Sequence, residues 1–272
     1  MKSKPFSVLM SIYKAEKPIF LRQSLDSILS QTYPPQEIII VEDGALTSEI
    51  YNILEEYQHK NPIIQRIPLE KNYGLGYALN IGLRHCSYDL VARMDTDDIC
   101  KTNRFEVQVK YMEDHPHVDV LGSWIDEFYE TPENVVSIRK VPQHNDELYK
   151  FGKRRNPMNH PTVIFRKASV LKAGNYQTCM LLEDYFLWAK MLHSGFVFHN
   201  IQESLLFFRL SRDIYKRRGG FKYAKIEAKL QYHLYKIGYL KFENMIRNIT
   251  NRFFVRILPV SLRRLIYRKL LR

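Results

Sequence analysis

Cysteine is scarce in this chain. Only Cys86, Cys100 and Cys179 occur among 272 residues, far apart and with no CxxC pair. That scarcity excludes a disulfide framework and a cysteine-built zinc or redox centre, and it fits ordinary thiols in a reducing compartment. Long apolar runs are missing too. Nothing approaches the roughly 20 residues needed to span a bilayer, and the run from Phe6 to Ile12 is too short for the core of a cleaved signal. The expectation is a protein made and kept in the cytoplasm. Internal repeats, low-complexity segments and a dinucleotide fingerprint are likewise absent, because Leu79 stands where Gly74-Leu75-Gly76 would need its third glycine. Acids, finally, almost vanish near the C-terminal end. From Arg209 to Arg272 there are 18 Lys and Arg against 3 Asp and Glu, a balance of +15, whereas the preceding 208 residues hold 23 against 26, a balance of −3. A near-neutral body joined to a basic tail predicts a polyanionic partner, either membrane headgroups or nucleic acid.

What is present is 45% hydrophobic and 13% aromatic, enough for one large core with an appendage. Short Ile/Val-rich runs at 6–12, 37–41, 63–68 and 89–94 read as buried strands. Helical stretches lie between them. Ile19, Leu21, Leu25, Ile28 and Leu29 define one face; Ile50, Ile53, Leu54 and Tyr57 a second, after the caps Thr47 or Ser48; Tyr77, Leu79, Ile81 and Leu83 a third. Alternating strand and helix predicts an α/β fold with a mostly parallel sheet covered on both faces, and ligands collect at the carboxyl ends of such strands. After a helix capped by Thr102, strands are expected at 118–128, 161–166, 196–201 and 205–210, with a polar, Pro-containing stretch between the first two and a helix at 181–194 stopped by Gly195. Beyond Arg212 the pattern is helical and basic.

The strand ends carry the polar residues. Asp95-Thr96-Asp97-Asp98 sets three carboxylates within four residues after an apolar strand, an arrangement costly without a counter-charge. Hard oxygen ligands suit Mg²⁺ or Mn²⁺ against a substrate phosphate, and a solvated acidic turn that caps the next helix fits the same residues. Asp43 ends the second strand, placed to accept from a base or simply to build an Asp-Gly turn. Glu183 and Asp184 open a helix, where a carboxylate either favours the positive helix end or serves as general base for a hydroxyl. His160 begins a strand and suits a phosphate, metal or acceptor contact as well as a structural hydrogen bond. At the far end, Leu262, Leu265, Ile266, Lys269 and Leu270 form a mainly apolar stripe, with Arg263, Arg264, Arg268 and Arg272 on other faces. A basic amphipathic helix of this kind suits an anionic membrane surface, and docking on the body is the other reading.

Taken together, the motifs resemble the bacterial inverting glycosyltransferases of family 2, which have the GT-A fold, a Rossmann-like sheet flanked by helices. The resemblance covers roughly residues 5 to 210 and rests on Phe6–Tyr13, Ser27–Tyr33, Glu37–Gly44, Asn72–Asn80, Met94–Asp98, His160–Arg166 and Glu183-Asp184-Tyr185 in that order and spacing. It implies a transferase domain at 1–210 and a basic, helical, membrane-associating tail at 211–272. By position, it implies that Asp43 binds the donor base, expected to be uracil, with Ser11 and Tyr13 around the nucleoside and Asn80 and His160 along the donor site. Asp95 faces the ribose, Asp97 and the adjacent Asp98 hold Mn²⁺ or Mg²⁺, and Asp184, beside Glu183, deprotonates the acceptor. The tail resembles those of enzymes that build O-antigen or capsule repeats on undecaprenyl diphosphate, which implies a UDP-sugar donor, a lipid-linked saccharide acceptor and a peripheral position on the inner face of the cell membrane. The first expectation for the sugar is galactose. Many relatives carry a His after the strand at 205–210. Here the segment has none, and Arg217 and Arg218 are expected to contact the diphosphate instead. Two other classes compete: a phosphohydrolase or phosphotransferase, whose acidic motif would belong on the first strand, and a nucleic-acid binder using the tail, which would leave the acidic motifs without a purpose.

Overall fold

A computed structural model describes residues 4–177, 182–211 and 219–259. Four strands open the chain: β1 (Phe6–Ile12), β2 (Glu37–Glu42), β3 (Ile64–Pro68) and β4 (Leu90–Arg93). All pair in parallel, in the order β3-β2-β1-β4. Between them lie α1 (Pro18–Leu29), α2 (Ser48–Lys60) and α3 (Leu75–His85). Every residue of β2 and β4 is buried, which is why those strands read as continuous apolar runs. Alternate residues feed two cores. Val8, Met10, Ile38 and Ile40 pack toward α1 and α2, while Leu9, Ile39 and Val41 pack toward α3.

The chain winds outward from β1 to β3 and then crosses back to place β4 on the other side of β1. That reversal opens a crevice beyond the carboxyl ends of β1 and β4. The sheet then continues through β8 (Ile164–Arg166), β6 (Val120–Phe128), β9 (Phe198–Arg209) and the two-residue β5 (Ile99–Cys100), with β7 (Val135–Arg139) beside β6. Here the pairing is mixed: β8 runs antiparallel to β4 and β6, whereas β9 runs parallel to β6. The remaining helices are α4 (Arg104–Asp114), α5 (Asn145–Gly152), α6 (Lys167–Lys172), α7 (Glu183–His193), α8 (Gly220–Lys236) and α9 (Phe242–Ile257). Leu230, Leu234, Tyr239 and Leu240, from α8 and the turn after it, join the α3–α7 core.

Several local expectations need correction. The buried face of α3 is Ala78, Leu79, Gly82 and Leu83, while Tyr77 is exposed: a spacing of two residues is a strand period and cannot define one helical face. Ile19 is exposed on α1. Asn103, not Thr102, precedes α4. The two strands expected at 196–201 and 205–210 are one long β9, whose register against β6 is broken at Ser123–Trp124 and again before Asp126. The polar stretch after 128 contains both β7 and α5.

Candidate active site

Asp43 closes β2 and turns the chain through Gly44, whose φ is +85°. An added Cβ on Gly44 would sit 2.6 Å from the Asn72 backbone nitrogen, so no side chain fits this turn. The Asp43 carboxylate accepts the backbone N–H of Tyr73 at 2.7 Å and of Gly74 at 3.0 Å, bolting the end of β2 to the start of α3. Each carboxylate oxygen has a second lone pair, so the same group can still accept from a base. Ser11, partly buried at the end of β1, and Tyr13, exposed just after it, border this position.

The acidic cluster lies in the turn after β4, at the crevice. One oxygen from each of Asp95, Asp97 and Asp98 falls within 4.8 Å of the others. Two arginines that the sequence reading passed over compensate this charge. Arg93, fully buried at the end of β4, pairs with Asp95 and donates to the Leu9 carbonyl at 3.2 Å. Arg209, at the end of β9, donates its backbone N–H to Asp98 at 2.8 Å and its Nε to the Asp97 carbonyl at 2.9 Å. Its guanidinium lies 4.0 Å from the Phe20 ring centroid and 4.6 Å from that of Phe128. The available signal was a charge inside an apolar strand, at Arg93 and again at Arg209.

Burial, reinforced by the neighbouring Asp95 and Glu16 charges, pushes Asp97 up to about 7, and Asp98, fully buried beside Asp97, rises well above the carboxylate range. Among the described residues, Asp98 Oδ2 is buried with no hydrogen-bond partner. Three close carboxylates, with a buried and orphaned oxygen on Asp98, form a hard donor set that fits a small divalent cation. Glu16, hydrogen-bonded to Thr96, adds a further acid to this side that sequence reasoning missed.

Across the crevice, α7 begins with Glu183 and Asp184. Asp184 is half-exposed and accepts from the Asn156 side-chain amide at 2.5 Å. Glu183 is buried, and burial together with the Asp184 charge pushes it up to about 7. Of the two, Asp184 is therefore the more accessible carboxylate. His160 sits beneath them. Its Nε2 lies 3.0 Å from the Tyr176 hydroxyl, its ring stands edge-on to Trp188, and burial with the nearby Arg93 charge holds it well below the usual histidine range. Asn80 donates to the Tyr176 carbonyl at 2.7 Å and accepts from Arg84, which fixes the 175–176 segment against α3. In the structure both His160 and Asn80 organise the floor of the site. Arg93 links its two sides: it pairs with Asp95 and also acts electrostatically on His160, Tyr176 and Glu183. Arg217 and Arg218 lie outside the described residues, as does the segment from 260 to 272.

A parallel half-sheet with a switch point at β1 and an acidic turn beyond β4 is the arrangement of the GT-A fold, with its ligand crevice at the carboxyl edge of the sheet. The chain belongs to glycosyl transferase family 2, whose sequence profile matches residues 7–174. It is 45% identical to the UDP-Gal:alpha-D-GlcNAc-diphosphoundecaprenol beta-1,3-galactosyltransferase of Escherichia coli over 98% of this chain and 96% of that one. It is 38% identical to the amylovoran biosynthesis glycosyltransferase AmsE of Erwinia amylovora, over 97% and 98% of the two chains. Its fold is similar to that of the mannosyltransferase PcManGT from Pyrobaculum calidifontis, solved with GDP-Man and Mn²⁺. There the TM-score is 0.66 at 16% identity, covering 96% of this chain and 79% of that one. The protein is thus a glycosyltransferase and not a phosphohydrolase. No helix among the described residues is long and apolar enough to cross a membrane.

Proposed function

We propose that the protein transfers a hexose, galactose in the first instance, from a UDP-sugar to a saccharide carried on undecaprenyl diphosphate, with inversion, in the synthesis of a bacterial surface polysaccharide. The observation that carries this reading is the placement of Asp184, held by Asn156 at the opening of α7, across from the Asp95–Asp98 cluster. The similarity to the galactosyltransferase over almost the whole of both chains supports the donor and acceptor classes.

Asp43 accepts from the base, with Ser11 and Tyr13 around the nucleoside, and Asp95, anchored by Arg93, faces the ribose. Asp97 and Asp98 would hold Mn²⁺ or Mg²⁺, which would supply positive charge against the diphosphate. Asp184 takes the proton of the acceptor hydroxyl, whose oxygen bonds to the anomeric carbon as the bond to the diphosphate breaks on the opposite side. Asn156 fixes the Asp184 carboxylate, and the buried His160–Tyr176–Trp188 layer keeps water from beneath it. Arg217 and Arg218 assist the diphosphate, and the basic end of the chain holds the enzyme against anionic lipid, where its acceptor resides.

The test is nucleotide release from a panel of UDP- and GDP-sugars, with and without a lipid-diphosphate-linked amino sugar. Mn²⁺-dependent release from UDP-galactose that rises with the acceptor is expected. Equal release without acceptor, or from GDP-sugars only, would overturn the reading. Arg217→Ala/Arg218→Ala should weaken UDP affinity; unchanged affinity removes those two residues from the site.

A further inference from the structure

The helices α8 and α9 form an antiparallel hairpin with two unlike sides. One side is bolted to the body. Glu227 is buried and takes a two-pronged bond from Arg256, at 2.6 and 2.7 Å, and a third from Arg252 at 2.6 Å. Asn248 donates to the Lys153 carbonyl at 2.8 Å and Arg252 to the Arg154 carbonyl at 2.6 Å. That segment runs directly into Asn156, the partner of Asp184.

A second side, about a quarter turn away, is apolar and exposed among the described residues. Phe242, Ile246, Ile249, Phe253 and Ile257 repeat along α9 at three- and four-residue spacing, a single stripe. The stripe meets α8 at both ends of the hairpin, where Phe253 lies 6.1 Å from Phe221 and Phe242 lies 6.0 Å from Tyr235. Phe221 is 69% exposed, Phe254 61% and Phe242 58%, far more than scattered surface aromatics require. Beside the stripe, Lys222, Lys225, Lys229 and Lys236 run along α8, and Lys241 and Arg247 flank it on α9; all are exposed. From 219 to 259 the only acids are Glu227, neutralised within the hairpin, and Glu243.

We propose that this face, Phe242–Ile246–Phe253 with Phe221 and Phe254, inserts into the headgroup region of an anionic bilayer, the lysines of α8 pairing with lipid phosphates. Exposed aromatics inside a cationic rim match an interface that is apolar below and negative above. The same charge disfavours a second copy of the chain as occupant, since two such faces would repel. Continuity argues likewise. The sequence after Ile257 adds Arg263, Arg264, Arg268, Lys269 and Arg272 without an acid, so the basic, apolar character runs on from the end of the stripe. The inference rests on the membrane reading above and assigns the hairpin, separately from the last residues, as the inserting element.

The experiment is flotation of the full chain with phosphatidylglycerol-containing vesicles and with pure phosphatidylcholine vesicles. The parent should float with the former only. A combined Phe242→Gln/Ile246→Gln/Phe254→Gln variant should bind at least about tenfold more weakly, with its melting temperature and donor turnover on a soluble acceptor unchanged. Separately, Phe254→Trp should show indole emission that shifts to the blue and is quenched by brominated phosphatidylglycerol. If the parent floats, the triple variant floats equally and the introduced indole is not quenched, the hairpin proposal is overturned while membrane binding through other residues stands. If the parent fails to float at all, the membrane reading falls with it. Loss of a dimer in the triple variant with vesicle binding intact would make the face a contact between copies and overturn the proposal too.

Discussion

Arg209 holds Asp98 through its backbone N–H at 2.8 Å while its guanidinium, stacked over Phe20 and donating 2.6 Å to Gln23, reaches the Asp97 carbonyl. One residue at the end of β9 thereby fixes the position and part of the charge of an acidic turn that arises 111 residues earlier in the chain. The relationship also explains how buried carboxylates on adjacent residues are tolerated.

Arg209→Met should therefore destabilise the protein by about 3–5 kcal/mol near pH 8, because it leaves buried acids without their cation. The loss should shrink on acidification or on addition of Mn²⁺, either of which neutralises the cluster. Thermal melts at two pH values, with and without the ion, measure this. A loss independent of both would assign Arg209 to packing alone.

Asp184→Asn should lower turnover by roughly 10²–10⁴-fold and leave UDP affinity near that of the parent, since a general base acts after the donor is bound. Asn156→Ala should produce a smaller loss, on the order of tenfold, with its effect on kcat and not on the donor KM. Steady-state kinetics with varied donor separates the two. An equal rise in donor KM would place both residues in donor binding.

Glu183 gives a pH prediction with a definite sign. Its carboxyl is raised in the folded protein to about 7, from 4.5, by burial and by Asp184. The folded state therefore binds the proton more tightly than the unfolded one. The associated stability is complete below about 4.5 and is lost as pH rises through about 7, on the order of 3 kcal/mol as an upper bound. Glu183→Gln, neutral throughout, should flatten that part of the stability curve and melt higher than the parent at pH 8. Denaturant titration across pH 5–8 checks it.

Much of this was legible in the sequence, and the reasons are local. Strands β1, β2 and β4 are short apolar runs bounded by turns, the pattern of strands buried on both faces, and the acids at or just after their ends mark where a ligand lies; β3, expected to be buried, is instead an edge strand with Gln65 exposed and Arg66 and Ile67 half-buried. Asp43, Asp95, Asp97, Asp98 and Asp184 all fall around the crevice. The second half was harder. β7 has five residues and exposes Val135, Val136 and Ile138, α5 has eight and is largely polar, and β5 has two, so periodicity cannot register them. Arg93, Arg209 and Asn156 owe their roles to partners distant or unobvious in the chain, Asn156 reaching 28 residues to Asp184. His160 and Asn80, expected along the donor site, both hydrogen-bond to Tyr176, a convergence that no sequence pattern shows.

Asp43→Ala should weaken UDP binding by more than one lost contact to the base would, because Tyr73 and Gly74 also lose their acceptor and the start of α3 loosens. A loss of roughly a hundredfold is expected by calorimetry, together with faster amide exchange at Tyr73 and Gly74. Weaker binding with unchanged exchange would confine Asp43 to the base.

The central claim, a single in-line displacement driven by the Asp184 carboxylate, is tested most directly by the anomeric configuration of the product. NMR of the disaccharide formed from UDP-α-galactose and a lipid-diphosphate-linked amino sugar should show a β linkage, formed by the parent and not by Asp184→Asn. An α linkage would require a second displacement or a front-face path and would contradict the account.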